Sequence, residues 1–175
     1  GAAYGYMTNS KYTSKASLVV YPLVVDPAGT GSANSAKVDI ATESRVASSR
    51  EVAQNAAKSL IANGDTLSEA QLTSRLMNSV KVTGTSQTAV LDIEVTRPNG
   101  TEAARYANAM ANAYLQVRSE SLKSSVDSAL HQIDEQISAL EGDNNRAGLL
   151  SQLQDRRAQI QLTSTTGGRV MSEAQ

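Results

Sequence analysis

The chain has 175 residues, enough for a domain with a real core, and its apolar content of 40% includes no Phe and no Trp, only six Tyr. Leu, Val, Ile and Ala are therefore expected to do the packing, with alanine favouring closely approaching helices. Sixteen basic residues face seventeen acidic ones and there is no cysteine, which argues against a cationic nucleic-acid surface and excludes disulfides and thiolate-bound metals.

Residues 11–25 read as a strand, rich in β-branched residues and apolar on both faces near its end. Pro22 removes a ladder donor, so the strand is expected to end, bulge or lie on an edge there. Residues 26–37 read as a loop, from Asp26-Pro27, Gly29, Gly31 and their Ser/Asn content. Residues 38–63 read as helical: Val46, Val52, Ala53, Ala56, Ala57, Leu60 and Ile61 recur at helical spacing. Ser48 or Ser49 can cap a helix starting near Arg50, and Asn63-Gly64-Asp65 is its stop. Thr66 or Ser68 then opens a short helix through Met77.

Val80 and Val82 alternate with polar residues, and Gly84-Thr85-Ser86-Gln87 is expected to turn the chain. Ala89, Leu91, Ile93 and Val95 then alternate with Val90, Asp92, Glu94 and Thr96, which places Leu91, Ile93 and Val95 toward a core. Arg97-Pro98-Asn99-Gly100 ends this strand. From Thr101 the pattern is helical for a long way, through Ala104, Ala107, Ala111, Leu115, Leu122, Val126, Leu130, Ile133, Ile137 and Leu140. Gly142-Asp143-Asn144-Asn145 breaks it. A second helix carries Leu149, Leu150, Leu153, Ile160 and Leu162. The fold class predicted is α+β. Residues 1–100 form a small mixed sheet packed with helices, residues 101–163 a long protruding antiparallel helical hairpin, and residues 164–175 a return strand beside the first.

The longest apolar run, Leu18–Val25, is far shorter than the roughly 20 residues of a membrane-spanning helix. The chain opens Gly1-Ala2 without an initiating Met, as a segment cut from a longer chain would.

Side chains able to do chemistry are few. His131 is the only histidine, and it lacks a second ligand at metal-binding spacing. Asp92 and Glu94 share one strand face, where two acids could serve glycosidic chemistry but far more often keep an exposed face soluble. Gly29–Lys37 lacks the glycine before the lysine that a phosphate loop requires. Asn99-Gly100-Thr101 fits a glycosylation pattern and equally a turn before a helix. Arg146, Arg156 and Arg157 on the second limb oppose Asp127, Asp134 and Glu135 on the first, as intra-hairpin pairs or as a face for a neighbouring subunit or anionic glycan. Tyr4, Tyr6 and Tyr12 suit either a strand start or a membrane interface. No catalytic, cofactor-binding or metal-binding residue is assigned, and no enzymatic activity is expected.

The layout resembles the extracytoplasmic region of the Wzz-type chain-length determinants, also called polysaccharide co-polymerases or tyrosine-kinase modulators, from about Tyr12 to Met171. The matching pieces are Tyr12-Thr13-Ser14-Lys15-Ala16-Ser17-Leu18-Val19-Val20 and Ala41-Thr42-Glu43-Ser44-Arg45-Val46-Ala47-Ser48-Ser49-Arg50-Glu51-Val52. They continue in the strand Ala89–Pro98 and the helix Ala103-Ala104-Arg105-Tyr106-Ala107-Asn108-Ala109-Met110-Ala111-Asn112-Ala113-Tyr114, the most specific block. Gly167-Gly168-Arg169-Val170-Met171 is similar to the family's return strand. The expected acidic or Asp-Pro turn is Arg97-Pro98-Asn99-Gly100 here, and the usual Pro-rich run after the return strand is absent. Each motif is a packing signature. The resemblance implies a membrane-anchored domain on the extracytoplasmic side of the cell membrane, with residues 1–100 near the bilayer. It implies a homo-oligomeric ring acting with a polysaccharide polymerase and nascent glycan on capsule, exopolysaccharide or O-antigen-like polymers. Some relatives pass a signal to a cytoplasmic tyrosine kinase, the alternative function. No nucleic acid and no cofactor are implied.

Overall fold

The structure is a computed structural model that describes residues 10–22, 38–141, 147–163 and 165–175. Tyr4, Tyr6, the expected loop 26–37, the break at 142–145 and Arg146 lie outside the described residues. The chain divides into two compact units: Gly1–Val20, Asp39–Val117 and Gly168–Gln175 form one, and Tyr21–Val38 with Arg118–Gly167 the other.

The first unit is built on a four-stranded sheet of β1 (Tyr12–Val20), β2 (Val80–Thr85), β3 (Val90–Arg97) and β4 (Gly168–Ser172), in the order β2-β3-β1-β4. The α+β class is as expected. The sheet is wholly antiparallel rather than mixed, since all three neighbouring pairs run in opposite directions. A tight turn joins β2 to β3, which forces that pairing. The β4 strand sits beside β1, with Val20 opposite Gly168 and Ser17 opposite Ser172. A register shift between Ser17 and Leu18 interrupts this pair.

Alternation along the strands sets the buried face. Leu91, Ile93 and Val95 are fully buried, as are Ala16 and Leu18, because residues two apart share one side of a pleated sheet. The turn before β3 differs from expectation. Gly84 lies within β2, and the turn falls on residues 86–89. Gly84 serves close approach instead of chain reversal: a Cβ there would stand 2.2 Å from Ile40 Cγ2. Ala89 takes the positive φ of 53° that the turn requires.

Four helical segments belong to this unit. The expected helix 38–63 is two helices, α1 (Ile40–Ala47) and α2 (Arg50–Ala62). Asp39 caps the first, accepting from the Thr42 N–H. Ser49 caps the second by accepting from the Val52 N–H, which splits the run at Ser48-Ser49. Gly64, at φ +105°, sits just past the end of α2. The α3 helix (Glu69–Ser79) opens with a full capping box between Ser68 and Gln71.

The long helix α4 (Gly100–Leu140) has 41 residues and so runs for about 60 Å. Asn99 caps it, its side-chain oxygen accepting from the Glu102 N–H at 3.1 Å. The residues of α4 up to Val117 belong to the first unit. Here Ala103, Tyr106, Ala107, Met110 and Tyr114 are buried, whereas Ala104 and Leu115 are only half-buried. The core is therefore not purely aliphatic. Tyr106 and Tyr114 are its largest fully buried side chains, and a ring of that size is tolerated inside when its hydroxyl finds a partner. The Tyr114 hydroxyl donates to Glu43 Oε2 at 3.0 Å.

The second unit contains the rest of α4 and α5 (Ala147–Gln161). Val126, Ala129 and Ile133 pack with Ile160, and Leu130 and Ile137 lie against them. Arg157 Nε reaches Asp134 Oδ1 at 2.6 Å, and Gly167 lies against Arg118. Contacts that climb one helix as they descend the other make the pair antiparallel. Only Leu153 and Ile160 of α5 are buried. Leu149, expected on its apolar side, is 49% exposed, and Leu162, expected there too, lies just past the helix end and is 86% exposed. No helix among the described residues is long and apolar enough to cross a membrane.

Candidate functional site

The side chains singled out in the sequence serve structure. Asp92 lies on the outer face of β3, where Ser17 Oγ donates to its Oδ1 at 2.6 Å and Lys15 Nζ stands 3.9 Å from Oδ2. Glu94 sits opposite Lys15 on one side and Lys81 on the other. Such cross-strand pairs of opposite charge stabilise a sheet face. His131 is exposed on α4 and lies 3.1 Å from Glu135, four residues on. Asp134 pairs with Arg157, which realises the intra-hairpin alternative, and the hydrogen bond from Arg157 holds its carboxyl below the usual value. Tyr12 is half-exposed at the start of β1, against Gly100. Among the described residues, no three His, Asp or Glu side chains are grouped to hold a metal ion.

The motif residues act as locks. Asn108 forms two hydrogen bonds with one backbone residue: its Nδ2 donates to the Ala174 carbonyl at 3.1 Å, and its Oδ1 accepts from the Ala174 N–H at 2.8 Å. A Cβ at Gly168 would stand 2.3 Å from the Val19 carbonyl oxygen and 3.2 Å from Leu115 Cδ2. The absence of a side chain lets β4 lie this close to β1 and α4. In the second unit, Arg118 is buried; its Nε donates to the Gly167 carbonyl at 2.9 Å and its Nη2 to the Tyr21 carbonyl at 2.5 Å. Gly167 has no Cβ to meet the Arg118 stem, which would lie 2.6 Å away.

One polar cluster escaped the sequence. Arg97 ends β3, and its Nε lies 2.6 Å from Oε1 of Glu102 in the first turn of α4. Arg75 Nη1, from α3, reaches the same oxygen at 3.6 Å. Arg105 Nη2 lies 3.5 Å from Asp65 Oδ2. Tyr106 sits under this group: the Arg97 guanidinium carbon stands 5.9 Å from its ring centre. A hydrogen bond with Tyr106 also raises the Arg75 pKa further. Three guanidiniums thus face two carboxylates, Glu102 and Asp65. An open cleft of about 570 Å³ lies along it, lined by Ala70, Gln71, Ser74, Arg75, Asn78 and Arg97. A second hollow of about 480 Å³ shares Arg75 and includes Asp65, Glu102 and Tyr106. Sequence offers no signal for this meeting, because Arg75 and Arg97 lie on different elements and carry no motif.

No family model and no curated protein matches the chain. Solved structures do. A fragment of WzzB, a polysaccharide co-polymerase from Salmonella Typhimurium, is 13% identical, with 95% of this chain and 96% of that one covered and a TM-score of 0.34. The chain is similar to polysaccharide co-polymerases. A full-length bacterial polysaccharide co-polymerase is 10% identical, at 99% and 78% coverage and a TM-score of 0.40. A mutant of the Shigella flexneri lipopolysaccharide O-antigen chain-length regulator WzzBSF is 9% identical, at 95% and 97% coverage and a TM-score of 0.37. Identities this low leave function to be argued from this chain's own residues.

Proposed function

We propose that the chain is the extracytoplasmic scaffold domain of a membrane-anchored regulator of surface-polysaccharide chain length. In this reading it is not an enzyme, and it works as a homo-oligomer beside a polysaccharide polymerase and the growing glycan. The observation that carries this is the antiparallel pairing of β1 and β4. The segment before β1 and the segment after β4 leave the sheet on the same side. Ser14 Oγ donates to the Gln175 carbonyl at 3.0 Å, so the two lie next to each other. A domain held by one membrane helix before it and one after it needs this geometry. The motifs that gave the resemblance support the reading too, since Asn108 and Gly168 hold the return strand and the residues after it in place.

The rival is catalysis by Asp92 and Glu94. Both face cationic or hydroxyl neighbours on a sheet face, which suits solubility and pairing. Replacing both with alanine tests the choice in cells that make the polymer. A scaffold predicts continued synthesis with an unchanged length distribution, provided the protein level is unchanged. Loss of polymer turnover by a folded double variant would establish an enzyme instead.

A further inference from the structure

We propose that the cleft between α3 and Arg97 binds an oxyanion, a carboxylate or a phosphate, carried on a polyhydroxylated sugar. This goes beyond the scaffold function and does not depend on it.

Arg75 and Arg97 line the cleft together. Each guanidinium carries five N–H donors, yet both meet the same Glu102 oxygen, at 3.6 and 2.6 Å. One carboxylate oxygen cannot occupy two planar forks, so donors remain for a second acceptor. Asp65, the other acid of the cluster, is engaged by Arg105.

The two arginines are also held in place before any ligand arrives. Tyr106 supports the Arg97 guanidinium through its ring. Glu102 ties both to the first turn of α4. A positioned guanidinium recognises carboxylate or phosphate through paired hydrogen bonds, and little ordering remains to be done on binding.

The rest of the lining fits the body of a sugar. Gln71, Ser74 and Asn78 follow at three- and four-residue steps along α3 and share the cleft. The Gln71 carbonyl oxygen accepts from the Ser68 N–H at 3.1 Å, which leaves its amide N–H groups as donors. Ser74 and Asn78 can both donate and accept, as ring hydroxyls require. At about 570 Å³ the cleft has room for one or two sugar rings.

The test is a titration of the ¹⁵N-labelled chain at low salt with glucuronate, glucose 1-phosphate, glucose and inorganic phosphate. Glucuronate and glucose 1-phosphate are expected to shift the amides of Gln71, Ser74, Asn78 and Arg97, and the tighter of the two identifies the anion preferred. Arg75→Gln and Arg97→Gln should each weaken binding about tenfold. Glu102→Gln keeps a side-chain oxygen to hold the two guanidiniums and removes the competing negative charge, so it should tighten binding, a direction that misfolding cannot mimic. The proposal is overturned if no amide at the cleft shifts or if uncharged glucose binds as well. It is equally overturned if inorganic phosphate alone matches the sugar phosphate, or if the folded Glu102→Gln chain binds more weakly.

Discussion

Asn108 both donates to and accepts from the backbone of Ala174, a residue only 7% exposed. Truncating it to alanine strands a buried N–H and a buried carbonyl. Asn108→Ala should cost about 1–3 kcal/mol in chemical denaturation, and the Ala174 amide should lose its protection from hydrogen exchange. An unaltered Ala174 amide would show that the pairing does not form in solution. The residue scale is also where sequence said least. The block around Asn108 was recognisable as a pattern, but its partner lies 66 positions away. Tyr106 and Tyr114 were invisible as core residues, because composition pointed to aliphatic packing and the partner of the Tyr114 hydroxyl, Glu43, comes from another element. Gly84 read as a turn residue, since nothing in the sequence reveals that Ile40 presses on it.

Elements were read more fully, wherever local chemistry decides the outcome. Strict alternation over Leu91, Ile93 and Val95 placed β3 and its buried face correctly. The two caps were legible to within a residue or two, Ser48 or Ser49 and Thr66 or Ser68, of which Ser49 and Ser68 serve, because the signal and its effect lie within one helical turn. The apolar stripe of α5 was read too generously: Leu149 faces solvent, and Leu162 lies past the end of the helix at Gln161. Side-chain type cannot say how much of a helix its single partner will cover. Charge at element ends makes a pH-dependent prediction. Asp39 and Asp134 both titrate below the ordinary 3.8, the first through hydrogen bonds from Thr42 and the second through one from Arg157. A depressed folded pKa contributes stability above the unfolded value and loses it as pH falls through the folded one. The first turn of α1 and the α4–α5 pair are therefore expected to loosen below about pH 4. The Thr42 amide and the Arg157 Nε–H should follow those two titrations in NMR spectra. Signals that hold steady down to pH 2 would contradict the assignment.

At the scale of the whole molecule, α4 contributes to both units, up to Val117 in one and from Arg118 in the other. Within the first unit Leu115 lies against Gly168, so the chain leaves and re-enters this unit at neighbouring points. That arrangement lets the helical pair be removed while the sheet and its helices keep their connections. The α+β class was legible because periodicity separates strands from helices. The return strand β4 beside β1 was legible, but the rest of the order β2-β3-β1-β4 was not, since the pairing of β1 with β3 joins segments far apart in sequence.

The most direct test of the scaffold account replaces residues 118–167 with a short Gly-Ser linker in the cells that carry this protein. The length distribution of their surface polysaccharide is then measured. Synthesis is expected to continue with a shifted modal length. An unchanged distribution, from a variant shown to be folded and present at normal levels, would contradict the account.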